Sequence, residues 1–136
     1  MSFNILAILL AAASSMVVGT LWFLPATFGN AWNTITGVDA MKPQRPAVVF
    51  PLSFLSAAIT ATVLSGAASL VAGMPGWAPL AASLIAAGAL WLGFTAATTA
   101  VHYLFEGRSL RLYTINVGHL LVTALVMGLI VGLFGF

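Results

Sequence analysis

The sequence predicts an all-α membrane protein with four transmembrane helices in an up-down bundle. Three observations carry that prediction. Of the 136 residues, 62% are hydrophobic and only 4% charged, whereas soluble domains average roughly 25% charged. Four apolar runs are each long enough to cross a hydrocarbon layer about 30 Å thick, at about 1.5 Å of helix rise per residue. The four basic and two acidic residues all fall in two of the three connections between those runs. The same numbers exclude other classes. So few charges cannot clothe a water-facing surface, and so much apolar side chain excludes a disordered chain. Without cysteine there is no disulfide framework, no Cys-ligated metal or iron–sulfur site and no thiol nucleophile. A net charge of +2 is too small a footprint for nucleic acid.

The spans are taken as one transmembrane domain covering 1–136, with helices at about 3–28, 47–72, 80–105 and 112–136. They are Ala- and Leu-rich and lack the period-two alternation of β-barrel strands. The first is too long for a signal peptide and has no basic flank, so it is expected to stay as a span, although Ala11–Ser15 has the small-residue look of a cleavage site. Pro25 is expected to kink its end. Pro43 and Pro46 stop any helix crossing the first connection, and Pro46 suits the first turn of the second span. Pro75, Gly76 and Pro79 make the second connection a short turn, with Trp77 at the interface. Gly107 suits a left-handed cap on the third span.

Asp39, Lys42 and Arg45 lie in the first connection, and Glu106, Arg108 and Arg111 in the third. Both connections lie on one side of a four-span topology. The positive-inside rule assigns that side to the cytoplasm and both termini to the outside. The first connection, with Trp32 and Met41 among its charges, is expected at the headgroup surface.

Two stretches share a pattern. Ala12-Ala13-Ser14, Gly19 and Leu21-Trp22 match Ala81-Ala82-Ser83, Gly88 and Leu90-Trp91 at identical spacing. Spans one and three run in the same direction, so this is a candidate parallel 2+2 repeat, although apolar spans also share letters by composition alone. Small residues recur at four-residue spacing, which lets helices approach closely where lipid removes the hydrophobic drive. The clearest rows are Ser53, Ala57, Ala61, Ser65, Ser69 in the second span and Gly128, Gly132 in the fourth. They are read as packing within one bundle, with the Gly128–Gly132 row as the alternative seam for a second copy or partner subunit.

No nucleotide, phosphate-loop, metalloprotease or nucleophile-elbow motif is present. The spans hold no interior Asp, Glu, Lys or Arg, the groups that pumps, coupled transporters and voltage sensors usually bury. What they hold is a set of neutral polar groups. Ser53, Ser56 and Thr60 repeat at i, i+3, i+7, and Asn116, His119 and Thr123 share that spacing. With Thr95, Thr98 and Thr99 at similar depth, these form a candidate polar cluster on the side of the charged loops. Its bland reading is interhelical hydrogen bonding worth about 0.6 kcal/mol per contact. Its functional reading is a site for a small, weakly polar solute. His102 and Glu106 are spaced to pair at i, i+4 near the interface. The two histidines lie at unmatched depths with no carboxylate to complete a site, so neither metal nor cofactor is expected.

Trp22-Phe23-Leu24-Pro25-Ala26-Thr27-Phe28-Gly29-Asn30-Ala31-Trp32 is similar to the signature of the bacterial membrane family called domain of unknown function 1761. The later stretch, Arg108-Ser109-Leu110-Arg111-Leu112 into Ile115-Asn116-Val117-Gly118-His119, resembles that family's entry into its last span. The resemblance implies a small four-span bacterial membrane protein and brings no established activity or catalytic residue; the location expected for the chain is the bacterial inner (plasma) membrane. An enzyme on a lipid substrate would need a nucleophile, metal or acid–base pair, and only His102 with Glu106 comes near. The chain therefore reads first as a non-catalytic scaffold or accessory subunit, partnered by the bilayer and by itself or another membrane protein. The alternative is a small transporter or channel for a neutral or weakly polar solute through the polar cluster. A cavity reaching that cluster separates the second from the first.

Overall fold

The computed structural model describes residues 2–136. Its element order is α1 (Ile5–Trp22), α2 (Gly29–Thr36), α3 (Pro46–Ala72), α4 (Pro79–Trp91), a π-turn (Leu92–Ala96), α5 (Ala97–Glu106) and α6 (Leu110–Phe134). The protein is all-helical among the described residues. Four helices are long and apolar enough to cross a membrane: α1, α3, the continuous rod Pro79–Glu106 and α6. They form an up-down bundle in which α1 and α4 each pack against both α3 and α6. α3 and α6 meet more sparingly across the diagonal.

Sequence dictates most helix ends. Asn4 caps α1 by accepting from the Ala7 N–H at 3.1 Å, and its own amide donates to the Phe134 carbonyl at 2.9 Å. That second bond ties the start of α1 to the end of α6. Proline opens α3 and α4 at their first turns, where a missing N–H costs nothing. Gly107 closes α5 at φ 64°, in the left-handed region. Ser109 caps α6, accepting from Leu112.

The first span differs from the expected 3–28. It stops at Trp22, about 27 Å long by helix rise, and residues 23–28 fold into a tight turn instead of a kinked continuation. Pro25 cannot supply a helical N–H, and three other residues finish the turn. The Thr27 hydroxyl lies 2.6–3.0 Å from the carbonyls of Leu21, Trp22 and Leu24, which helix termination leaves open. Phe28 N–H donates to Trp22, and Gly29 N–H to Leu24. A Cβ on Gly29 would collide with the Phe23 carbonyl oxygen, so this close approach requires glycine. α2 then runs back over the charged-loop end of α6.

The bundle has two unlike halves. Away from the charged loops the helices are tightly packed by small residues. Ala11, Ala12, Ala61, Ala68, Ala86 and Ala87 are buried with Leu64, Met127 and Val131. A Cβ on Gly128 would sit 3.0 Å from the Ser83 carbonyl oxygen and 3.2 Å from Ala87 Cβ, and one on Gly132 would strike the Ser83 hydroxyl. The Gly128–Gly132 row is thus filled by α4, inside the bundle, and is not an open seam for another chain. Ala57, Ala61 and Ser65 are buried, Ser69 is half-buried and Ser53 is exposed, so the second-span row packs at its middle and opens at its charged-loop end.

Toward the charged loops the helices separate. α5 packs on α6, and α3 makes no extended contact with it. The π-turn lies at this transition: Gly93 is within it, and the Ala97 N–H reaches back to Leu92. The extra residue turns α5 relative to α4. Trp22 and Trp91, matched positions in the two similar stretches, each donate an indole N–H to an α6 carbonyl, Ile115 at 3.1 Å and Val117 at 2.9 Å. The contacts correspond, but the fold does not show a parallel 2+2 duplication.

Candidate functional site

A cavity of about 890 Å³ occupies the separated half, within the range of ligand pockets, about 300–1,000 Å³. Ser15, Gly19, Thr20 and Phe23 line it from α1, and Ser53, Ser56, Ala57 and Thr60 from α3. Trp91 and Thr95 come from the α4 rod, and His119, Leu120, Thr123 and Met127 from α6. Ala40 and Met41 reach it from the first connection. Among the described residues no Asp, Glu, Lys or Arg lines it. Met127 is buried between the cavity and the close-packed alanine half, so the cavity is blind on that side.

The sequence-derived cluster divides in two. Ser53, Ser56, Thr60, His119 and Thr123 line the cavity together. Asn116 does not. Its side-chain oxygen accepts from the Trp32 indole at 2.9 Å, and its amide donates to the Tyr103 hydroxyl at 2.8 Å. It joins α2, α5 and α6 above the cavity. Thr95 reaches the cavity, whereas Thr98 donates back to Phe94 and faces outward.

Several hydroxyls in the cavity are already committed as donors. Ser15 donates to Ala12, Thr20 to Met16, Thr60 to Ser56 and Thr123 to His119, each to a carbonyl of its own helix. Their oxygens remain acceptors. His119 Nε2 is buried without a hydrogen-bond partner, one of two such side-chain atoms among the described residues, the other being Ser65 Oγ. The imidazole is held edge-on to Phe23, with ring centres 5.1 Å apart, beside Trp22 and the bare Cα of Gly19. A polar atom so placed is oriented by packing alone, which leaves its hydrogen-bonding capacity unspent.

The His102–Glu106 pairing is replaced by another. Glu106 lies 3.8 Å from Arg108, and Arg108 stacks its guanidinium over the Tyr103 ring at 4.4 Å. The αL turn at Gly107 folds Arg108 back onto α5, while His102 is exposed. Among the described residues no group of three or more His, Cys, Asp or Glu is gathered as a metal would require.

Sequence reasoning missed Phe23, Thr20 and Trp91 as cavity walls. The signal available was the matched Trp22 and Trp91, whose indoles need buried partners. The two stretches singled out from opposite ends of the chain prove to be one structure. Trp22 packs on Phe28 at 4.5 Å, Phe23 on Trp32 at 5.4 Å, and a Cβ on Gly118 would lie 3.4 Å from the Trp22 ring.

Four membrane-compatible helices around this half-open interior define a multi-pass helical membrane protein. Its sequence matches, over residues 6–132, the family described as Protein of unknown function (DUF1761). The chain belongs to that family. No curated protein and no solved structure matches it.

Proposed function

We propose that this chain is a non-catalytic membrane protein that binds and passes on a small, neutral, weakly polar molecule held in the cavity beside His119. The observation that carries this reading is a pocket of about 890 Å³ without a charged wall, lined by the His119 ring and by threonine oxygens that can still accept a hydrogen bond. Neutral polar groups in an apolar enclosure fix orientation without the cost of burying a charge. The blind, alanine-packed half fits a carrier or receptor site better than a standing pore. The charged loops are taken to face the cytoplasm of a bacterial inner membrane, by the positive-inside rule. A scaffold role, alone or with a second copy or partner subunit, draws on the exposed ridge of Phe94, Leu104 and Phe105, which lipid covers equally well.

The test is mass spectrometry of the protein released from native lipid particles. A retained small molecule that is lost from His119→Leu, with the chain still folded, supports the site. Ligand-free protein, together with solute flux in liposomes indifferent to His119→Leu, overturns it. Release as a stable multimer or with a protein partner, and no small molecule, favours the scaffold.

A further inference from the structure

The cavity has a side opening. α3 and α5 do not pack together in the charged-loop half. Leu120 shares the inward face of α6 with His119, Thr123 and Met127, yet it is 42% exposed. Leu52, which lines the same cavity from α3, is 55% exposed. Both positions lie inside apolar spans, so this gap faces acyl chains and not water. An entrance at this depth selects for a molecule already dissolved in the bilayer.

The polar groups select its head. Thr20, Thr60 and Thr123 have turned their protons to helix carbonyls, so they offer oxygen acceptors. With no cation in the wall, a carboxylate or phosphate head would enter unpaired, at a large desolvation cost. A hydroxyl head meets both demands: it is uncharged and donates to one of these acceptors, and the His119 ring, whose Nε2 is sealed against Gly19 in this structure, turns toward the head to share a hydrogen bond.

We propose that the cavity takes a neutral long-chain lipid bearing a hydroxyl head sideways from the bilayer, with the head against His119 and the chain leaving between α3 and α5. This rests on the binding role proposed for the cavity and adds the ligand class and route.

The experiment uses the full chain in liposomes and three diazirine probes: a long-chain alcohol, the matching fatty acid and a short water-soluble alcohol. The long-chain alcohol is expected to label Leu52 and Leu120 and their neighbours on α3 and α6. Unlabelled long-chain alcohol should compete. His119→Leu should lower labelling by up to about tenfold, the worth of one hydrogen bond to a neutral head. Leu120→Trp, which fills the gap from within, should block the long-chain probe and spare the short one. If the short alcohol alone labels the cavity, the cavity holds a solute but the lateral lipid route is wrong. If the fatty acid labels as well as the alcohol, the neutral head is wrong. If no probe labels the cavity, both this proposal and the binding role fall. The map on the unmodified chain decides these outcomes even where a variant fails to fold.

Discussion

Asn116 and His119 lie one helical turn apart on α6, and their surroundings assign them opposite tasks. Asn116 spends its oxygen and its amide on Trp32 and Tyr103, which makes it a structural link between three helices. Interhelical hydrogen bonds in membranes average about 0.6 kcal/mol each, so Asn116→Ala should cost about 1–2 kcal/mol once two partners are stranded. Reversible unfolding in bicelles measures this, and Trp32→Phe in the Asn116→Ala background should add little further loss. His119 has an unspent nitrogen, so His119→Leu should leave unfolding stability within about 1 kcal/mol while lowering ligand retention by up to about tenfold. At Gly29 the constraint is steric. Alanine there must displace the Phe23 carbonyl, and Gly29→Ala should destabilise the fold by about 1–3 kcal/mol, the range for overpacking. Urea or thermal titration in detergent reads that loss.

The decisive elements are the π-turn and the α4–α6 seam. The rod from Pro79 to Glu106 would read as a uniform helix but for residues 92–96. Removing one residue there restores an α-helical path and turns α5 by about 100° relative to α4, one residue's share of a 3.6-residue turn. Tyr103 would swing away from Asn116. Deleting Gly93 should therefore make Tyr103→Phe thermodynamically silent, whereas in the intact chain that change should cost about 0.6 kcal/mol. A double-mutant cycle on unfolding free energy checks the coupling. At the seam, Gly132→Val has no room against Ser83 and Leu80. It should separate α4 from α6 and lower the melting temperature far more than Gly93→Ala, where nothing lies within 4 Å of an added Cβ.

At the scale of the whole molecule, all the ionic side chains are gathered at one end, and that end is also where the helices part. The absence of native cysteine makes the topology directly testable. Gly76→Cys should react with a membrane-impermeant maleimide added outside intact cells, and Ser109→Cys only after the membrane is permeabilised. The reverse pattern would invert the bundle and place the cavity in the outer leaflet. The packed and open halves also predict uneven exchange. Amide hydrogens of α3 from Val48 to Thr60 should exchange sooner than those from Ala61 to Leu70, because local opening follows contact density.

The sequence by itself determined the class, the number of spans and the family, because composition, run length and charge placement are one-dimensional quantities. It also marked Asn116 and His119 as unusual, since amides and imidazoles are costly in lipid. It had no means of separating their roles. Equal spacing along a helix sets a shared face, not the distance between neighbouring helices, and that distance decided which polar groups pair and which line a space. Only the tertiary structure showed that the first span ends at Trp22, that Arg108 takes Glu106 from His102, and that α3 stands apart from α5. Each depends on where helices remote in sequence come to rest, which is settled by the packing of small side chains such as Ser83 against Gly128 and Gly132.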